Sequence, residues 1–380
     1  MLVLIKNGDV YNPEASGKKS ILLAGDRVAH LGEVDPRGAE ALGLDLEVID
    51  ADGCLVIPGL IDPHIHLIGG SGEEGFASRT PGIQLSELIP WGITTVIGVL
   101  GVDASTRVLP DLLARVRGLE EEGISAWMYT GAYDVPPPTL TGSVRSDLLI
   151  VDKVIGVGEI ALSDERAVQP RLRDLARLAT DAMIGGRLSS KAGVTHFHMG
   201  ERPDRLAPLR SLLDDYGIEP ETLYPSHVHR TDELLKEAVD LSRRGSFVDM
   251  DAAQENLAEK VREFLEQGGR PDRLTLSSDA DGNAPANLFL RWRQCVLDEK
   301  IPLERALPLV TRNAAEVLHL DTKGRLEPGA DADLVVLRKE MLDIVHVVAK
   351  GKVLVRDGEI LVREKFLEAS EWTLELKGKK

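Results

Sequence analysis

Short apolar runs punctuate the chain, and the spacing between them changes twice. Over the first 57 residues the runs are brief and broken by turn signals: Leu2 to Lys6 precedes Asn7-Gly8-Asp9, and Ile21 to Leu23 and Arg27 to Leu31 flank Gly25-Asp26. That rhythm predicts a small β unit. From Pro58 the runs become strand-length and alternate with longer stretches of helical period. They are Thr94 to Val99, Ser125 to Tyr129, Val154 to Glu159, Val194 to His198, Leu223 to His227, Phe247 to Met250 and Leu274 to Ser278. Helical patterns fill gaps at Leu109 to Glu122, Arg171 to Ile184, Asp232 to Arg244 and Ala253 to Glu266, mostly closing near glycine, as helix ends do. With the run around Leu60 to His66, eight strand and helix units fall within about 255 residues, the size of a (β/α)8 barrel. After about Thr311 the β rhythm returns, in Gly324 to Gly329, Ala332 to Leu337, Ile344 to Ala349 and Gly351 to Val355. The expected fold is therefore α/β: a TIM-like (β/α)8 barrel over residues 58–315, beside a small β-sandwich domain built from residues 1–57 and 316–380.

Composition narrows the classes. With 380 residues, 43% of them hydrophobic, the chain can bury a large core, which excludes disorder. Its 62 acidic against 45 basic residues leave a formal net charge of −17, which opposes a grip on nucleic acid. The longest uncharged apolar run, Trp91 to Val102, is about 12 residues against the roughly 18 to 20 of a membrane span, so no membrane partner is expected. The start reaches Lys6 too soon for a secretory signal, and a cytoplasmic location is the expectation. Two cysteines, Cys54 and Cys295, are read as buried thiols.

Chemistry enters with Asp62-Pro-His-Ile-His66. His64 and His66 are two apart, so on a strand they share one face and can grip one metal ion. His198, His227 and Asp279 end or follow the fifth, sixth and eighth expected strands, which makes them converge on the mouth of a barrel. Four imidazoles and a carboxylate are donors that zinc favours. His196 and His229 are rivals; the residue nearer the strand end reaches the mouth, and His229 lies past it, in a supporting or loop position. His30, His319 and His346 have structural roles by default. Two like-charged ions would need an anion between them, and Glu159, ending the fourth expected strand, supplies one. The same segment, Gly156 to Ala161, matches the dinucleotide fingerprint only weakly, because Ala161-Leu-Ser-Asp continues as a loop and opens no helix.

These residues carry a resemblance. Pro58 to His66, the later histidines, Ser277-Ser-Asp279 and Gly329-Ala-Asp-Ala-Asp-Leu-Val335 resemble the amidohydrolase superfamily. More narrowly, His64 to Glu73, Glu122 to Met128, Thr130 to Tyr133, Thr141 to Ser143, Phe197 to Gly200 and Leu276 to Asp279 resemble its bacterial isoaspartyl dipeptidases, over nearly the whole chain. The resemblance implies an enzyme with two zinc ions per subunit, held by His64, His66, His198, His227 and Asp279, that cleaves the isopeptide bond of β-aspartyl dipeptides. It implies a metal-bridging hydroxide as nucleophile, Asp279 as general base and Tyr133, before the lid-like Pro136-Pro-Pro138, as the group polarising the scissile carbonyl. Glu73 matches the residue taking the substrate's α-amino group, Arg166 and Arg230 match arginines that hold carboxylate, and Gly72 belongs to the same binding loop.

Three positions depart from that pattern. The family bridges its metals with a carboxylated lysine, where this chain has Glu159; Lys153 lies about 20 Å back along the strand and cannot replace it. Glutamate reaches roughly 3 to 4 Å less than lysine carbamate, so the fourth strand must approach more closely, which Gly156 and Gly158 permit. Val102 and Asn283 stand where the family has threonine and serine, in the pocket for the aspartyl α-carboxylate. A small anionic dipeptide and a homo-oligomer assembled from dimers are the implied partners. A cyclic amidase or D-aminoacylase type of amidohydrolase, or a non-catalytic metal-binding barrel, are the alternatives.

Overall fold

A computed structural model of the protein describes residues 2–41, 43–281, 284–368 and 370–371. Eight parallel strands form its centre: β1 (Leu60–Ile65), β2 (Ile93–Gly98), β3 (Ser125–Thr130), β4 (Val154–Leu162), β5 (Val194–Met199), β6 (Leu223–Ser226), β7 (Val248–Asp251) and β8 (Leu274–Ser277). All are buried along their length, apart from a half-buried Trp127 in β3, because helices cover them outside and side chains fill the inside. Strands with both faces covered read as continuous apolar runs, and each of the eight lies on a run expected from the sequence.

β1 to β6 pair in sequential order, and β7 pairs with β8. Hydrogen bonds at the strand ends close the ring. Val228 N–H donates to Asp249 O (3.4 Å) between β6 and β7, while Asp279 N–H donates to His64 O and His66 N–H to Ala280 O (both 3.1 Å) between β8 and β1. Two helices depart from expectation. The helix Leu172–Ser189 runs past Ile184 through Gly185 and Gly186, which serve close packing and do not end it: a Cβ on Gly186 would sit 2.6 Å from Gly193 Cα. The helix expected from Ala253 opens at Leu257, because the Asp251 carboxylate accepts the Ala253 N–H (3.2 Å) and holds the preceding residues in a turn.

The two chain ends meet in one nine-stranded sheet. Its long first strand, Leu2–Tyr11, forks: Leu2 to Lys6 pair with Leu46–Asp50, and Asp9 and Val10 pair with Leu55 and Val56. Leu334–Arg338 then pairs antiparallel with Cys54–Pro58, and Val3, Ile5, Ile21, Val56, Leu334 and Val336 share one apolar core. Cys295 is buried as expected, whereas Cys54, at the start of its strand, is only half-buried. Between sheet and barrel base, Lys323 Nζ bonds Ser125 Oγ (2.6 Å), Asp331 Oδ2 (2.7 Å) and Asp333 Oδ2 (2.5 Å). Among the described residues no helix is long and apolar enough to cross a membrane.

Candidate active site

At the C-terminal rim of the barrel, six side chains from five strands meet. His64 Nε2, in β1, and His66 Nε2, one residue past its end, each lie 3.3 Å from Asp279 Oδ1, as the two-residue spacing of an extended segment allows. Glu159 occupies the middle: Oε2 is 3.1 Å from His198 Nδ1, 3.3 Å from His64 Nε2 and 3.7 Å from His227 Nε2, and Oε1 is 3.7 Å from His66 Nε2. His198 faces this centre, whereas His196 sits one layer lower, with Nε2 3.1 Å from His64 Nδ1.

Local backbone explains the convergence. Glu159 does not end its strand: β4 runs on to Leu162, no helix opens there, and the dinucleotide fingerprint has no structural counterpart. A Cβ on Gly156 would lie 2.7 Å from Val194 O and one on Gly158 2.6 Å from His196 O, so only glycine lets β4 lie this close to β5. Lys153 sits at the opposite end of β4, 2.5 Å from Glu120. His227 (φ 62°) and Asp279 (φ 46°) both occupy the left-handed region, which costs a non-glycine residue about 1–3 kcal/mol and is characteristic of functional sites.

The cluster's electrostatics fit a cation. His64 Nε2, His227 Nε2 and Glu159 Oε1 are buried without a hydrogen-bond partner, a state costing about 1–3 kcal/mol per group. Donor atoms of His64, Glu159 and His227, and of His64, His66 and Asp279, lie within 4.8 Å of one another in each group. Burial penalises charge on His64, but Glu159 and Asp279 overcome this and push its pKa up to about 10. Burial likewise opposes ionisation of Glu159 and Asp279, yet His64 with His198, and His227 with His64, hold them below their ordinary values. Two carboxylates thus stay ionised among imidazoles, of which His64 and His227 each leave Nε2 without a partner, and this donor set fits zinc.

A cavity of about 220 Å³ opens above the cluster, with Glu73, Val102, Tyr133, Arg166 and Arg230 in its wall. Tyr133 is buried, its hydroxyl 2.9 Å from His198 Nδ1. Burial, and then Glu159, push its pKa well above the ordinary phenol value, so it is a neutral donor. Arg166 bonds Glu73 Oε1 (2.8 Å) and grips Asp164 through two contacts of 2.8 and 3.0 Å. Arg230 donates to Met199 O (3.0 Å) and lies 3.2 Å from His198 Nε2. Gly72 stands beside Glu73 in its loop, not in the wall itself, where Gly70 and Ser71 take that place. Asn283 lies outside the described residues.

Sequence reasoning passed over three buried acids around the cluster. Asp164 contacts His198 Nε2 (3.2 Å), Asp251 contacts His227 Nδ1 (2.7 Å), and Asp249 accepts from Ser226 (2.8 Å) and Ser277 (2.6 Å). The available signal was a pair of acids two apart in a strand-length run, Val248-Asp-Met-Asp251.

Comparison with known proteins agrees with this geometry. The structure is similar to that of a β-aspartyl dipeptidase from Fervidobacterium islandicum AW-1, at 38% identity and a TM-score of 0.90, covering 95% of this chain and 98% of that one. The same enzyme in complex with β-Asp-Leu dipeptide matches at 37% identity and 0.89, with the same coverage. More distantly, the chain is 23% identical over 417 residues to a dihydroorotase from Pelotomaculum thermopropionicum, covering 93% of each. It is 27% identical over 355 residues to adenine deaminase 1 from Carboxydothermus hydrogenoformans, covering 85% of this chain but 53% of that one. The amidohydrolase family model matches residues 55–354, which take in all eight barrel strands and the strand Leu334–Arg338 that ties the two ends together. The resemblance read from Pro58 to His66 and Ser277 to Asp279 therefore holds, and the chain belongs to the amidohydrolase family.

Proposed function

We propose that this amidohydrolase cleaves the isopeptide bond of β-aspartyl dipeptides. The observation that carries the reading is the cavity wall, where Glu73 pairs with Arg166 and Arg230 lines the same cavity beside the six-residue cluster. That layout complements a small substrate with one amino group and two carboxylates. The 38% identity to a β-aspartyl dipeptidase over 95% of the chain supports the same substrate class.

His64, His66, His198, His227, Asp279 and Glu159 would hold two zinc ions, which polarise a carbonyl and lower the pKa of water towards roughly 7. The chain's own residues do the rest. Glu73 binds the α-amino group, and Arg166 and Arg230 hold a carboxylate of the substrate. Tyr133, protonated at neutral pH, donates to the carbonyl oxygen as negative charge develops there. Asp279 takes a proton from the attacking water and returns it to the nitrogen as the C–N bond breaks. Val102, whose apolar side chain is partly exposed in the cavity, offers no hydrogen bond to an α-carboxylate, so preference among β-aspartyl substrates rests on the remaining donors.

The test is a substrate panel with metal analysis. β-Asp-Leu should be hydrolysed, and α-Asp-Leu, hydantoin and N-acetyl amino acids should be turned over far more slowly. Faster opening of hydantoin would replace this reading with a cyclic amidase. Because Glu159 is a permanent carboxylate, apoenzyme should regain full activity with zinc alone; a need for bicarbonate would count against its bridging role.

A further inference from the structure

Strand β7 contributes none of the six clustered side chains, yet it carries two buried acids. Asp249 and Asp251 are two apart, so both face the barrel interior. Asp249 is surrounded by hydroxyl donors: Ser226 (2.8 Å), Ser277 (2.6 Å) and Thr275 (2.7 Å). Asp251 is placed differently. Its Oδ1 accepts the Ala253 N–H (3.2 Å), and its Oδ2 lies 2.7 Å from His227 Nδ1, with His229 Nδ1 more distant at 3.9 Å.

A neutral imidazole carries one N–H. When Oδ2 accepts it at Nδ1, the proton-free nitrogen is Nε2, which is buried, lacks a partner and lies 3.7 Å from Glu159 Oε2. We propose that Asp251 is a positioning residue that fixes the tautomer of His227, so that Nε2 is the nitrogen offered to a metal ion beside Glu159. This rests on reading the six-residue cluster as a metal centre. Asp251 also falls within a possible ligand group with His227 and Asp279. The 2.7 Å contact argues for orientation, because it already spends Oδ2 and Nδ1 on each other.

Asp251→Asn separates this role from mere space-filling. Asparagine Oδ1 would stay with the Ala253 N–H, which sets the amide NH2 against His227 Nδ1. Two donors cannot face each other, so the ring would move its proton to Nε2, the nitrogen a metal needs bare. Asp251→Ala removes the preference without reversing it. Zinc affinity, measured by competition with a colorimetric chelator, should therefore fall about 10- to 100-fold in Asp251→Asn, with Asp251→Ala between it and the wild type. A carboxylate that only filled space would give the reverse order, the isosteric asparagine being mild and alanine severe.

Wild-type affinity in Asp251→Asn, or weaker binding in alanine than in asparagine, overturns the proposal. So does a third zinc equivalent in the wild type that Asp251→Asn loses, which would make Asp251 a ligand. A wild-type protein that binds no zinc overturns the metal reading itself, and is seen before any variant is made. If Asp251→Ala fails to fold by circular dichroism, Asp251→Asn against wild type decides alone.

Discussion

Two clusters of buried charge lie at opposite ends of the barrel, and they are built on opposite rules. At the base, Lys323 gives its donors to Ser125, Asp331 and Asp333, joining the start of β3 to the terminal sheet. At the mouth, His64 Nε2, His227 Nε2 and Glu159 Oε1 have no partner, and His227 and Asp279 hold strained backbone angles. Breaking a satisfied cluster strands buried charge and costs stability, whereas a cluster left open already carries that cost and is retained for chemistry. Burial alone does not distinguish them; the state of the polar atoms does.

The sharpest way to break the contrast is at its two centres. Glu159→Ala should lower kcat/KM by on the order of 10⁴-fold or more, about 5.5 kcal/mol, and lose at least one zinc equivalent by metal analysis. The denaturant midpoint of the metal-free variant should move little. Lys323→Ala should do the converse, costing about 3–5 kcal/mol of stability in urea titration, because the buried Asp333 carboxylate loses its cation, while the half-buried Asp331 keeps Arg27. Its turnover per folded molecule should stay at the wild-type value.

Tyr133→Phe tests a group that touches both mouth and cavity. It should lower kcat about 10²- to 10³-fold with a smaller change in KM and an unaltered circular dichroism spectrum. An equal rise in KM at constant kcat would make Tyr133 a ground-state binder instead.

The smallest effect is one of pH. Burial disfavours the charge on Lys323, but Asp333 and Asp331 outweigh it and raise the pKa above the ordinary lysine value. Stabilisation from this group is thus fully present below about pH 10.4 and is lost as pH rises through the higher folded value. The stability gap between wild type and Lys323→Met should narrow over that alkaline range, and a widening gap would contradict the assigned ion pairs.

The barrel was legible in the sequence because strands covered on both faces read as apolar runs, and the mouth because His64 and His66 share a period of two and His198, His227 and Asp279 sit at run ends. What could not be read had competing local signals. Glu159 closes an apolar run although its strand continues, since Ile160 to Leu162 are buried in β4 as well. Gly185 and Gly186 look like a helix end and instead admit Gly193 and Leu148 at close range. Asp164 and Asp251 look like surface acids, because nothing in a linear pattern reveals which imidazole each one meets.

The pairing of Leu334–Arg338 with Cys54–Pro58 has a consequence for biosynthesis. One edge of the earliest-made sheet waits for a partner that leaves the ribosome only after all eight barrel strands. The nascent chain must therefore keep an unfinished strand edge from pairing elsewhere during most of translation. A chain released before Leu334 would leave Cys54–Pro58 open on that side, a template for aggregation where the finished protein has a seam.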